Sequence, residues 1–183
     1  MNLEEQTLVQ RVLNGEKREF GTIVNRYATA LMMFVGRIVG DSEDARDVTQ
    51  DTLVAAYNHL QDYDPRKASL YTWLQRIAYH ESLYHLRRRK RLMGFHIDPG
   101  SEIPDQLPDN TTAERLEQAI RKLPPEDQML LQLYYYDDRS LKEIAYITGA
   151  SDVTVSREAS RLSSRLLRIR QRIRIILSHT DDE

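Results

Sequence analysis

Residues 140–162 read SLKEIAYITGASDVTVSREASRL, and their spacing predicts the fold of the second half of the chain. Ser140 and Glu143 have the spacing of a capping box, in which a hydroxyl and a carboxylate satisfy first-turn amides, so a short helix is expected to begin here. Gly149 can adopt the positive φ of a tight turn before a second helix. This spacing predicts a helix-turn-helix unit, whose second helix enters the major groove of DNA with its N-terminal part.

The second helix of this unit is expected to be capped by Ser151 or Asp152 and to continue far toward the C-terminus. Its apolar residues recur at three- and four-residue steps, which predicts one buried stripe, although the period-two alternation of RIRQRIRI would also suit a strand. The stripe consists of Val155, Ala159, Leu162, Leu166, Ile169, Ile173 and Ile176. A helix is the preferred interpretation.

Polar and basic side chains lie opposite this stripe on the second helix. Hydroxyl and guanidinium groups suit phosphate oxygens and base edges, so this face is predicted to dock on DNA, the alternative being an ordinary solvated face. The face consists of Thr154, Arg157, Ser160, Arg161, Ser164 and Arg168. Glu158 counts against DNA unless it accepts from a cytosine amine or pairs with a neighbouring arginine.

The composition predicts a helix-rich, water-soluble chain. Its 183 residues are 40% hydrophobic and 30% charged, which excludes collagen-like and disordered classes. The chain contains no cysteine, which excludes disulfide scaffolds and thiol catalysis. No apolar run is long enough to cross a bilayer, and the acidic start does not resemble a secretory signal, so a cytoplasmic location without membrane insertion is expected.

Charge is divided unevenly along the chain. The net charge of −2 combines −3 over residues 1–60, +5 over 61–95, −7 over 96–138 and +3 over 139–183. Two basic blocks separated by an acidic one predict two separate contacts with a polyanion.

Proline, glycine and acidic residues concentrate in residues 94–111. This composition predicts a flexible acidic linker between a domain at 1–93 and a domain at 112–183. Both halves have helical patterns, so the predicted fold is all-α with two small helical domains. Further helix starts are expected at Asp41-Ser42, Ser69, Thr111 with Glu114, and Pro124-Pro125.

The first half carries a line of basic and aromatic side chains on one predicted helix. The line contains Arg76, His80, Leu83 and Arg87, flanked by Trp73 and Tyr84, with Tyr63 and the loop DYDPRKAS near one end and the basic run Arg87–Arg91 at the other. Such a face suits unpaired bases, since stacking contributes about 1–3 kcal/mol per base. The alternative is that Trp73 belongs to the core and the basic run is a solvated helix end.

A helix from Ser42 to about Leu60 is expected to bury Ala45, Val48, Thr52 and Ala56. Its outward face carries Asp47, Gln50, Asp51, Val54 and Asn58, with Asp44 at the edge. Because an acidic face repels phosphate, it is expected to contact a basic protein surface; an ordinary solvated face is equally consistent with the pattern.

Metal and catalytic sites are not indicated, so no cofactor is expected and an enzyme is disfavoured. The stretch DSEDARDVTQDT has Arg46 at its sixth position and Thr52 at its twelfth, where an EF-hand needs glycine and glutamate. His80 and His85 are five residues apart, one more than the spacing that places two zinc ligands on one helix face.

Three stretches in order carry a family resemblance: DARDVTQDTLVAAYNHL, YTWLQRIAYHESLYHLRRRKR and the helix-turn-helix. Together they resemble a bacterial RNA polymerase sigma factor of the extracytoplasmic-function (ECF) type, over about residues 5–92 and 112–170. The resemblance implies a protein that binds core polymerase and directs promoter-specific initiation. The first domain would bind the β′ clamp helices and melt the −10 element. The second domain would bind the −35 element and the β flap, and an anti-sigma factor is a common partner.

The resemblance assigns roles to individual residues. It implies core binding by Asp44, Asp47, Gln50 and Asp51. The predicted −10 contacts are Tyr63, Trp73, Arg76, His80, Tyr84, Arg87 and Arg88, and the predicted −35 contacts are Thr154, Ser156, Arg157, Ser160 and Arg161. The chain departs from the family pattern at His80, Tyr84, Val153, Ser156 and Glu158, which bears on promoter sequence more than on activity. The alternative function is a two-domain regulator that binds duplex DNA without polymerase.

Overall fold

The computed structural model describes residues 3–93 and 112–179, and the regular structure within these ranges is helical. The first domain consists of α1 (Leu3–Leu13), α2 (Phe20–Val39), α3 (Ser42–Asn58) and α4 (Leu70–Met93), with short 3-10 turns at Lys17–Glu19 and Leu60–Asp62. The second consists of α5 (Thr112–Arg121), α6 (Pro125–Leu131), α7 (Leu141–Ile147) and α8 (Val155–His179), with a π-helical continuation of α6 at Gln132–Tyr136. The predicted all-α fold with two helical domains is confirmed. The predicted linker and the Thr111 cap lie outside the described residues.

Helix α3 begins where the sequence predicts. Asp41 accepts hydrogen bonds from the amides of Glu43 and Asp44 at 2.8 and 3.0 Å, which satisfies two first-turn donors. The predicted inner face is buried, with exposures of 0–3% at Ala45, Val48, Thr52 and Ala56. The helix therefore presents its acidic side to solvent.

Helix α4 is covered on more than one side. Ser69 caps it as predicted, accepting from the Thr72 amide at 3.1 Å. Leu70 and Leu74 are fully buried, as expected for the inner stripe. Because α2 and α3 pack on one side and α7 packs on the other, α4 joins the two domains. Helix α2 also contacts α6, and its Arg37 pairs with Asp137 of the second domain at 3.0 Å.

The second domain is built around α8. Pro125 begins α6 directly after Pro124, as predicted. The nearly buried Asp127 accepts from Arg165 at 2.5 Å and ties α6 to α8. Helix α8 is continuous through RIRQRIRI, so the helical interpretation is confirmed and the strand is excluded. Within the described ranges, none of the helices combines the length and apolar character needed to cross a membrane.

The helix-turn-helix forms with one difference from the prediction. The capping box at Ser140 and Glu143 is complete, and Gly149 has φ +108° at the turn. Helix α8, however, begins at Val155, so the prediction that Ser151 or Asp152 caps it is wrong. Residues 151–154 instead form a turn, in which the Thr154 and Val155 amides donate to the Ser151 carbonyl at 2.9 Å and the Ser151 amide donates to the Thr154 hydroxyl at 3.0 Å.

Candidate protein and nucleic-acid interfaces

The acidic face of α3 is accessible over most of its length. Asp47, Gln50 and Asp51 are exposed, as is Val54 at 54%. Three of the four predicted core-binding residues thus project from one open face. An exposed acidic surface of this kind is electrostatically complementary to a basic protein surface.

Asp44, the fourth residue of this set, is half-buried and bound to α4. Its carboxylate accepts from Arg89 at 2.9 Å, and its other oxygen lies 3.2 Å from Nε2 of His85. The structure therefore connects the acidic face of α3 directly to the basic end of α4.

An apolar groove beside the acidic face was not predicted. It encloses about 550 Å³ between α2 and α3 and is lined mostly by apolar side chains, with Gln50 at its border. Its lining includes Phe20, Val24, Ala28, Met32, Leu53 and Tyr57. The signal in the sequence is the spacing of Phe20, Val24, Ala28 and Met32, which forms a second apolar stripe on α2 at four-residue steps.

The aromatic part of the α4 face lies mostly inside the protein. Trp73 is only 6% exposed, and its ring centroid lies 5.5 Å from that of Tyr63. This packing favours the core interpretation of Trp73. Burial, and then the charge of Glu5, raise the pKa of Tyr63 to about 12, so its phenol is neutral at physiological pH.

Arg76 contacts the second domain rather than solvent. Its Nη1 donates to the carbonyl oxygens of Tyr146 and Ala150 at 2.7 and 3.0 Å, and its Nη2 donates to that of Gly149 at 3.4 Å. Its guanidinium carbon lies 4.8 Å from the centroid of the Tyr146 ring. One predicted −10 residue therefore holds the turn of the helix-turn-helix.

His80 contacts the same turn, one helical turn further along α4. Its Cε1 lies 3.3 Å from the position that a Cβ at Gly149 would occupy, so the imidazole edge lies against the glycine backbone. Lys67 of the loop before α4 pairs with Asp152 at 2.6 Å. The structure thus brings Arg76, His80 and Lys67 to one contact between the domains.

The remaining predicted −10 residues lie beyond this contact. Tyr84 is 57% exposed, and Arg87 and Arg88 are also exposed. These three side chains form an open basic and aromatic end of the α4 face.

The predicted −35 residues project from the N-terminal part of α8. The side chains of Arg157 and Arg161 are both 65% exposed, and Ser156 and Ser160 are exposed as well. Thr154 instead contributes to the turn that precedes the helix, where its hydroxyl accepts from the Ser151 amide.

Glu158 lies among these arginines. Its Oε1 accepts from Arg161 at 2.6 Å and lies 3.9 Å from Nε of Arg157. Of the two roles open to this carboxylate near DNA, pairing with a neighbouring arginine is the one present in the structure.

Comparisons with known proteins match both domains in order. Residues 23–92 match Sigma-70 region 2, and residues 113–173 match Sigma-70, region 4. The RNA polymerase sigma-H factor of Pseudomonas aeruginosa is 30% identical over 93% of this chain and 92% of its own length. The chain belongs to the sigma-70 family.

Further relatives place this sigma factor in the ECF group. The ECF RNA polymerase sigma-E factor of Escherichia coli K12 is 30% identical over 93% of both chains. The structure of CnrH in complex with the cytosolic domain of CnrY is similar at 25% identity and TM-score 0.62, over 94% of this chain and 96% of that one. RpoE of Bartonella quintana, solved with the anti-sigma factor NepR, shares the fold at 22% identity and TM-score 0.62, over 88% of this chain and 98% of that one. These matches confirm the predicted family, and with it a function in transcription initiation rather than a regulator that acts without polymerase.

Proposed function

We propose that this sigma factor binds core polymerase through the acidic face of α3 and promoter DNA through α4 and α8. The exposed carboxylates of Asp47 and Asp51 are the observation that carries the polymerase assignment. This acidic face is not suited to contact DNA, because carboxylates repel phosphate. The complementary partner is a basic protein surface, and we assign it to the β′ clamp helices.

The apolar groove supports this assignment. Gln50 borders both the groove and the acidic face, so a docking helix could place apolar side chains in the groove and basic ones against Asp47 and Asp51. Interfaces of this kind combine an apolar centre with a charged rim. We assign the second domain to the β flap and infer that an anti-sigma factor competes with polymerase for this sigma factor.

Two basic surfaces are assigned to the template. On α4, Arg76, His80, Tyr84, Arg87 and Arg88 would contact the −10 element, with Tyr63 and the buried Trp73 supporting the face from beneath. On α8, Arg157 and Arg161 would contact the −35 element together with Thr154, Ser156 and Ser160. The guanidinium groups of α8 are exposed and can donate to base edges or phosphates.

Reversing the charge of the α3 face tests the polymerase contact. We expect Asp47→Arg together with Asp51→Arg to abolish association with core polymerase, because two attractive contacts become repulsive. Association is measured by size-exclusion chromatography with purified core enzyme, and activity by run-off transcription on a library of promoter fragments.

The matched control is Glu16→Arg together with Asp62→Arg, which makes the same change in net charge elsewhere on the first domain. This control should bind polymerase like the unmodified chain, and both variants should retain their helical circular dichroism. Undiminished polymerase binding by the Asp47 and Asp51 variant would refute the assigned surface.

A further inference from the structure

The contact between Arg76 and the helix-turn-helix occupies N–H groups that could otherwise donate to DNA. Three of the five N–H donors of a guanidinium are committed to the carbonyl oxygens of Tyr146, Gly149 and Ala150. The Tyr146 carbonyl lies in the last turn of α7, and those of Gly149 and Ala150 lie in the turn that follows it. Arg76 cannot hold these oxygens and donate the same protons to phosphate or base. Docking of α7 on α4 and docking of DNA on this part of α4 therefore compete for these three donors.

The charge of His80 affects the contact between α4 and the helix-turn-helix. Its imidazole edge lies against Gly149, and the two charged groups that act on it are both cations, Arg76 and Arg87 on the same helix. Partial burial, and then these two guanidinium groups, hold the pKa of His80 below its ordinary value. A proton on the ring would place a third positive charge beside Arg76.

The acidic groups on the elements that pack against this part of α4 lie beside basic side chains other than His80. Asp152 in the turn before α8 pairs with Lys67. Glu126 of α6 and Arg165 of α8 act on Tyr79, the neighbour of His80, and lie within 3.9 Å of each other. Tyr146 of α7, whose pKa is raised by burial, is neutral and packs against Arg76.

We propose that Arg76 and His80 form a proton-sensitive clasp on the helix-turn-helix, which is closed when His80 is neutral and opens when His80 is protonated. Its regulatory meaning rests on the proposed function, because the face that opening uncovers is the one assigned to the −10 element. The clasp itself is a property of the chain alone.

The direction of the pH dependence follows from the linkage between protonation of His80 and opening of the clasp. Opening removes the contact with Gly149 and so relieves the burial of His80, whose pKa then rises toward its ordinary value, whereas Arg76 and Arg87 stay beside it on α4 in both forms. The open form therefore binds more protons, and closure is fully stable above this value and is lost as pH falls below it. The population ratio of open to closed forms can change by up to about tenfold for each unit by which closure lowers the pKa.

The absence of cysteine allows a direct measurement on the full chain. Asn58→Cys and Gln171→Cys, both at exposed positions on different domains, accept a donor and an acceptor dye. We expect energy transfer to fall between about pH 7.5 and about pH 5.5, the range in which histidine titrates, while helical circular dichroism is retained. Constant transfer over this range would overturn the proposal.

Two histidine variants test whether His80 is the group whose protonation lowers the energy transfer. His80→Gln, which stays neutral, should keep high transfer over the whole range. The matched control His85→Gln, on the same helix but facing Asp44, should still open with acid. Loss of the response in the His85 variant, or its persistence in the His80 variant, would overturn the assignment to His80.

The imidazole signal of His80 in the unmodified chain gives a second test if His80→Gln opens at every pH. Nuclear magnetic resonance should show a midpoint below the ordinary histidine value that coincides with the fall in energy transfer. A midpoint at or above the ordinary value would overturn the proposal. Neither measurement contains polymerase or DNA, so failure of the clasp is distinguishable from failure of the proposed function.

Discussion

At the scale of single residues, Glu158 has the clearest electrostatic consequence on α8. It binds Arg161 at 2.6 Å and lies close to Arg157, so it offsets part of the positive charge on the face assigned to DNA. Exposed pairs of this kind contribute little to stability, about 0–1 kcal/mol. Its effect should therefore appear in binding rather than in folding.

Glu158→Gln should bind random-sequence duplex several-fold more tightly than the unmodified chain. The reason is that Arg161 is released to phosphate and one negative charge is removed. The slope of log affinity against log salt should steepen by about 1, since one more phosphate is neutralised. Fluorescence anisotropy over a series of salt concentrations measures both quantities.

Arg161→Ala provides the opposite case on the same helix face. It should weaken duplex binding and flatten the salt slope. Weaker binding by Glu158→Gln would contradict this view of Glu158 and would indicate that the carboxylate itself contacts a base.

At the scale of elements, the helix-turn-helix depends on the cap of α7. Ser140→Ala removes a hydroxyl that accepts from the Glu143 amide, and it also removes a partner of the Glu143 carboxylate. We expect a loss of about 1 kcal/mol in the free energy of unfolding, measured by urea denaturation. Ser163→Ala, at an exposed position inside α8, is the matched control and should cost nothing. Equal stability of the two variants would show that the capping box does not contribute.

Most elements could be predicted from the sequence because their signals are local. The Asp41, Ser69 and Ser140 caps and the stripe of α8 involve residues within one helix. The start of α8 could not be predicted in this way, because the hydroxyl of Thr154 engages Ser151 and replaces the expected cap. The position of Trp73 also stayed open, since a helical pattern does not reveal which side its neighbours cover.

At the scale of the whole molecule, the division of charge predicted separate surfaces, but their relation to each other lay beyond the sequence. Arg76 bonds to carbonyls 70 to 74 residues away, and backbone carbonyls have no sequence signature. The groove between α2 and α3 was likewise visible only as an extra apolar stripe. The residues of the candidate site could thus be proposed from the sequence one by one, whereas the contacts that Arg76 makes with the second domain could not.

The ion pair between Lys67 and Asp152 offers a test of this closed arrangement that is independent of His80. Lys67→Asp places two carboxylates together where a pair at 2.6 Å now joins the domains. Because both side chains are about half exposed, the pair stabilises closure by no more than about 1 kcal/mol, so reversal should shift the population of the closed form several-fold. Energy transfer between dyes at positions 58 and 171 should fall at neutral pH.

Exchanging both charges restores the attraction, so Lys67→Asp combined with Asp152→Lys should recover high energy transfer. Salt at about 1 M shortens the screening length to about 3 Å and should remove most of the difference between single and double variants. Because Lys67 lies in the loop next to the face assigned to the −10 element, the conformational signal rather than transcription is the measure to use. Transfer that is low in the double variant, or unchanged in the single one, would mean that this pair does not hold the two domains together.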